Sequence, residues 1–185
     1  APRRREKETG QKEGKKKIMS MSYDSSEFLA NPLDRVEEVL TTQNWVFNRM
    51  THHELMVNVT GKDCEYRLFF LWQPEMNAMQ FCCQYDLRID PDNRAPAARV
   101  LMTINEALWM GHFDIPQESG TPSFRHTSLF RGTASEGGTE PIEDLIDIAM
   151  AQCERYYPVF FVLSTLRNPD DQSLSLAMMD TLGRG

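Results

Sequence analysis

His112, Asp114, Arg125 and His126 are the residues of this chain whose types and spacing come nearest to chemistry. A histidine oriented by a carboxylate is the core of a general base. Residues 112–116 and 123–130 read as the two strands of a hairpin that would bring these side chains together. With Ser119-Gly120 as a two-residue loop, Asp114 faces Arg125 across the ladder and Phe113 faces His126. No readable motif sets a serine or cysteine nucleophile beside them, and no glycine-rich phosphate loop precedes a helix. The expectation is therefore a hairpin ion pair with a half-buried histidine, a place for contact with a partner or ligand rather than for catalysis.

His52-His53-Glu54 falls at a turn between strands. Neighbouring histidines there diverge and cannot converge on a metal. Glu154-Arg155 follows Cys153 on a long helix and reads as a bridge from helix to sheet, or as a polar edge that recognises a partner. Trp109 and Tyr156-Tyr157 keep helical spacing and read first as core, second as interface anchors. Met76, Met110 and Met178-Met179 are candidates for an adaptable surface among the 11 methionines. The four cysteines, Cys64, Cys82, Cys83 and Cys153, form no C-x-x-C pair and no zinc-like spacing with histidine. They are expected to be buried, reduced thiols, and no residue pattern calls for a metal or cofactor.

Charge and composition bound the partners. Of 185 residues, 41% are hydrophobic and 25% charged, which is the ordinary globular range. Residues 1–17 hold eight Lys/Arg and three Glu, leaving 12 basic and 24 acidic residues for the rest. So acidic a body repels phosphate backbones, and nucleic-acid binding through it is not expected. Residues 1–22 read as a disordered basic segment, too polar to bury a core, and residues 23–185 as a single domain. Neither a membrane span nor a secretory h-region is expected. A cytoplasmic protein is the expectation.

Hydropathy patterning supplies the elements that must position these residues. Asn31-Pro32-Leu33-Asp34 starts a helix with an apolar stripe of Leu33, Val36, Val39 and Leu40. Trp45 opens a first strand, and Leu55, Val57 and Val59 alternate in a second before a Gly61-Lys62-Asp63 turn. Cys64 to Trp72 is apolar on both faces at its end, the pattern of a central strand covered on each side. Met79 to Ile89 is the clearest alternation. Ala97, Val100, Leu101, Ile104 and Leu108 mark a second helix stopped at Gly111. Residues 131–139 read as a flexible loop. A helix from about Glu140 follows, which Pro158 should kink or split, and Asn168-Pro169-Asp170-Asp171 starts a short final helix. Runs of adjacent strands joined by tight turns imply an antiparallel sheet packed against helices, hence α+β.

These segments resemble the YbjN-domain family. The resemblance runs through Trp45, Tyr66-Arg67-Leu68-Phe69-Phe70 with Trp72, Gln80-Phe81-Cys82-Cys83 and Asp86-Leu87-Arg88. It continues through Ile104 to Trp109, Gly111 to Asp114 and Phe124-Arg125-His126. Leu145 to Ala149 and Cys153-Glu154-Arg155-Tyr156-Tyr157-Pro158 complete it. The chain departs from the family pattern at Ser164-Thr165-Leu166-Arg167, where members carry a Trp-Gly-Gly-Lys-like segment, and at Ile115, where Trp is common. The resemblance implies a fold like that of type III secretion chaperones and a non-enzymatic bacterial regulator that binds another polypeptide or pairs into a homodimer. On that reading Trp109, His112, Asp114, Arg125, His126, Glu154 and Arg155 are contact residues, and apolar client side chains bury against the sheet or the helix ending near Met110. The alternative is a regulator holding a small ligand between sheet and helix near His112, Asp114 and Arg125.

Overall fold

Helix α1 (Pro32–Thr42) begins where the sequence places it. The Asn31 side chain accepts the Leu33 N–H at 3.0 Å, and Leu33, Val36, Val39 and Leu40 are buried. The structure is a computed structural model and describes residues 31–130 and 138–182. The basic segment 1–22, the domain boundary at 23 and most of the loop after Arg131 lie outside the described residues.

The element order is helix, four strands, helix, two strands and two helices, as the patterning predicts. Strands β1 (Phe47–Thr51), β2 (Glu54–Thr60), β3 (Glu65–Gln73) and β4 (Ala78–Tyr85) form a meander. Helix α2 (Arg94–Ala107) leads to β5 (His112–Asp114) and β6 (Ser123–Leu129). The six strands make one antiparallel sheet in the order β1-β2-β3-β4-β6-β5. Helices α3 (Glu140–Thr165) and α4 (Asp171–Leu182) close the chain, α3 packing on β4, β6 and α1, and α4 on α3.

One face of the sheet carries the core. Leu55, Val57, Tyr66, Leu68, Phe70, Phe81, Cys83, Tyr85, Phe113 and Phe124 project from it toward the helices and are buried. Phe113 sits among Phe124, Tyr156 and Phe160 with ring centroids 5.4–5.6 Å apart, spacings at which edge-to-face and tilted aromatic pairs are favourable. Full burial of each Val, Leu or Phe on this face contributes about 1.5–3 kcal/mol.

Several expectations are corrected. β3 is not covered on both sides: Tyr66, Leu68, Phe70 and Trp72 are buried, while Phe69 and Leu71 face outward, partly exposed. β4 ends at Tyr85, although Ile89 beyond it is buried. β1 begins at Phe47, two residues after Trp45. Pro158 does not split α3, which runs on to Thr165. The missing N–H removes one hydrogen bond, to the Glu154 carbonyl. Buried Tyr156, Val159, Phe160 and Leu163 keep the helix on the sheet past that gap.

Asn93 is a buried polar residue that the patterning did not single out. It is fully buried, donates Nδ2 to the carbonyls of Leu163 and Leu166 at 2.8 and 2.7 Å, and accepts the Asn168 N–H at 3.0 Å. It thereby satisfies carbonyls that the end of α3 leaves without helical partners.

Candidate docking face of the sheet

The side of the sheet turned away from the helices is ordered by strand register. One row runs Met56, Phe69, Cys82, Arg125 and His112 across five strands. Glu54, Leu71, Gln80 and Thr127 form a second row; Asn58, Arg67, Gln84, Ser123 and Asp114 form the third. The middle of this face is therefore an apolar strip of Met56, Phe69, Leu71 and Cys82, all partly exposed. A shallow cavity of about 250 Å³ opens there, lined by Phe69, Leu71, Gln80, Cys82, Pro116 and Arg125 among others.

Asp114 and Arg125 do pair, at 3.2 Å, but not by the expected register. Arg125 faces His112, and Asp114 faces Ser123. Phe113 faces Phe124 rather than His126. The connection is not a two-residue loop at Ser119-Gly120; it spans residues 115–122, folded back by Gly120 N–H to Pro116 O at 2.8 Å, with Gly120 at φ 65°. The ion pair is a diagonal one, partly exposed on both sides, so it contributes no more than about 1 kcal/mol.

His126 is separated from that group. It lies opposite Phe81 in the ladder and so projects from the helix side of the sheet. Burial lowers its pKa from the ordinary value, and the nearby His112 charge adds to the effect. Trp109 is not core: α2 ends at Ala107, two residues earlier, and the indole is 77% exposed. Tyr156 is buried and Tyr157 partly so.

Glu154 is a bridge from helix to sheet, its Oε1 accepting the Lys62 N–H at 2.7 Å in the β2–β3 turn. Arg155 is exposed, its guanidinium carbon 5.5 Å from the Tyr156 ring centroid. His52 and His53 sit in the exposed β1–β2 turn. Met76 and Met179 are exposed, whereas Met110 and Met178 pack against the core.

Cys83 and Cys153 are buried as expected, whereas Cys64 and Cys82 are only partly buried, a correction to the expectation. Cys64, Cys82 and Cys83 are held away from the reactive thiolate form. Burial pushes Cys64 and Cys82 up, with Ser123 and Arg125 opposing the shift at Cys82. The hydrogen bond with Cys153, then burial, raises Cys83. Nucleophilic thiols need the opposite environment. Among the described residues no group of three or more His, Cys, Asp or Glu converges as metal ligands do, and no helix is long and apolar enough to cross a membrane.

Among the described residues, a single antiparallel sheet with helices on one side and no helix on the other defines a two-layer α+β protein. A family model described as "Putative bacterial sensory transduction regulator", that of YbjN, matches residues 32–162. The chain belongs to the YbjN family. Among solved structures it is similar to a crystal structure of YbjN from E. coli, described as "a putative transcription regulator". The two are 14% identical, with a TM-score of 0.48 over 65% of this chain and 84% of that one. No curated protein matches.

Proposed function

We propose that this protein is a non-enzymatic cytoplasmic regulator that acts, in chaperone-like fashion, by binding another polypeptide or a second copy of itself on the open face of the sheet. The observation that carries the reading is the apolar strip of Met56, Phe69, Leu71 and Cys82, partly exposed at the centre of the sheet, covered by no helix among the described residues and bordered by Glu54, Arg67, Asp114 and Arg125. An apolar centre with a charged rim is the anatomy of a protein interface. The cavity on this face, about 250 Å³, is below the roughly 300–1,000 Å³ of small-molecule sites and suits an anchoring side chain. Trp109, exposed beside the edge strand β5, adds a second anchor.

The ligand-binding alternative has its own support, in a different place from the one expected. Asp114 and Arg125 stand on the outer face, and the space between sheet and helix behind them holds Phe113, Phe124, Tyr156 and Phe160. A cavity of about 390 Å³ lies instead between α2 and α4, lined by Pro96, Arg99, Val100, Asp171, Leu174 and Met178 among others.

A native mass spectrum of the full chain from its own host, compared with the Phe69→Glu and Met102→Glu variants, tests the proposal. The expected result is a dimer or a stoichiometric second polypeptide, lost in Phe69→Glu and kept in Met102→Glu. A bare monomer carrying a small-molecule adduct would overturn it in favour of the α2–α4 cavity.

A further inference from the structure

Two thiols meet at the centre of the core. Cys83 projects from the helix side of β4 and Cys153 from the buried side of α3, and neither is exposed. Their Sγ atoms lie 3.6 Å apart although 70 residues separate them in sequence. The two elements are held together at this point. Tyr85 Oη donates to the Cys153 carbonyl at 2.7 Å, and Met150, one turn earlier on α3, places its Sδ 3.9 Å from Cys83 Sγ. A disulfide needs an S–S distance of about 2.05 Å, so bond formation requires the two sulfurs to approach by about 1.5 Å.

We propose that Cys83 and Cys153 form a dithiol modification site, which a two-electron oxidant converts to a disulfide stapling β4 to α3. With hydrogen peroxide as the oxidant, one thiol gives up its proton as its sulfur attacks a peroxide oxygen; the O–O bond breaks, the departing hydroxide takes that proton, and a sulfenic acid and one water result. The second thiol attacks the sulfenic sulfur; the S–S bond forms, the S–O bond breaks, and the hydroxyl leaves as a second water with the thiol proton. Two thiols and one peroxide give one disulfide and two waters.

Access makes the site selective. With both thiols fully buried and α3 closed over them, peroxide reaches the pair only through local opening. α3 is weakened nearby, because Pro158 leaves the carbonyl of Glu154, the residue after Cys153, without its helical hydrogen bond. The pair therefore records opening of α3 in the presence of oxidant, not oxidant alone. Once formed, the staple closes a long loop and restrains the unfolded chain.

The full chain carrying Cys64→Ser and Cys82→Ser retains only this pair. It would be exposed to hydrogen peroxide at several urea concentrations below its unfolding midpoint, then unfolded, treated with N-ethylmaleimide and weighed. The expected product is a monomer lighter by two hydrogen atoms, unlabelled, whose peptide map joins Cys83 to Cys153. It forms faster as urea rises, and its unfolding midpoint is raised until a reductant restores it. Two labelled thiols after exposure, over-oxidised sulfur without a cross-link, or a cross-link only between chains would each overturn the proposal. If the double variant does not fold, the unsubstituted chain is mapped, and a bridge joining any other pair of cysteines overturns it.

Discussion

Asn93 and Asn168 are joined across 75 residues of sequence: the Asn93 Oδ1 accepts the Asn168 N–H at 3.0 Å, and Asn168 takes a left-handed φ of 51° to present it. The same carboxamide caps the carbonyls of Leu163 and Leu166. One fully buried side chain thus fixes where α3 stops and where the path to α4 turns.

Asn93→Ala removes these three hydrogen bonds and leaves buried groups unpaired, so it should cost about 2–4 kcal/mol in urea denaturation. Asn93→Asp should cost at least as much at neutral pH, because a carboxylate cannot donate to two carbonyls. A destabilisation within experimental error for both would show that water replaces the carboxamide.

Gly61 is required by close approach. A Cβ there would stand 2.2 Å from the Tyr66 ring and 2.3 Å from Glu154 Oε1. Tyr66 is buried and cannot yield, so Gly61→Ala should lower stability by about 1–3 kcal/mol. Removing the Glu154 side chain relieves only the second contact, and Gly61→Ala combined with Glu154→Ala should remain destabilised relative to Glu154→Ala alone.

His126 makes stability pH-dependent. Burial, then the His112 charge, lowers its folded-state pKa below the ordinary 6.5. The unfolded chain therefore binds the proton more readily, and stability falls as pH drops through about 6.5 toward the folded-state value. His126→Gln should flatten the unfolding midpoint over that interval while leaving the rest of the profile intact; an unchanged slope would assign the dependence to other groups.

Trp109 separates folding from binding. The side chain is largely exposed, so Trp109→Ala should change stability by less than about 0.5 kcal/mol. If it anchors a partner, the same substitution should weaken association by about 2 kcal/mol, roughly 30-fold. Titration calorimetry with the partner identified by native mass spectrometry reads both the loss and its size.

Wherever apolar residues keep a regular period, the architecture is legible in the chain. Leu33 to Leu40 marks α1, Leu55 to Val59 marks β2, and the alternation from Met79 to Tyr85 marks β4, each on the expected face. Register is legible only where a loop is tight. The β5–β6 connection is eight residues long and folded by Gly120, whose N–H donates to the Pro116 carbonyl and whose carbonyl accepts the Ile89 N–H, so counting outward from Ser119-Gly120 does not give the partners of Arg125 and His126. Trp109 fits the period of α2 but follows its last helical residue. Phe69 and Leu71 look like core because apolar content alone cannot say that no helix among the described residues lies over them. Asn93 carried no signal, since its partners are carbonyls and an N–H far away in sequence.

The strand order β4-β6-β5 also has a consequence in time. During synthesis the β1–β4 meander leaves the ribosome complete, each strand beside its sequence neighbour. Its greasy side, with Leu68, Phe70, Phe81 and Cys83, is covered only in part, by α1, until α3 has been made, and the free margin of β4 stays open until β6 arrives. Nascent chains with such surfaces attract one another. Codon usage and pausing between Tyr85 and Phe160 therefore bear on how much protein a cell recovers, independently of the stability of the finished molecule.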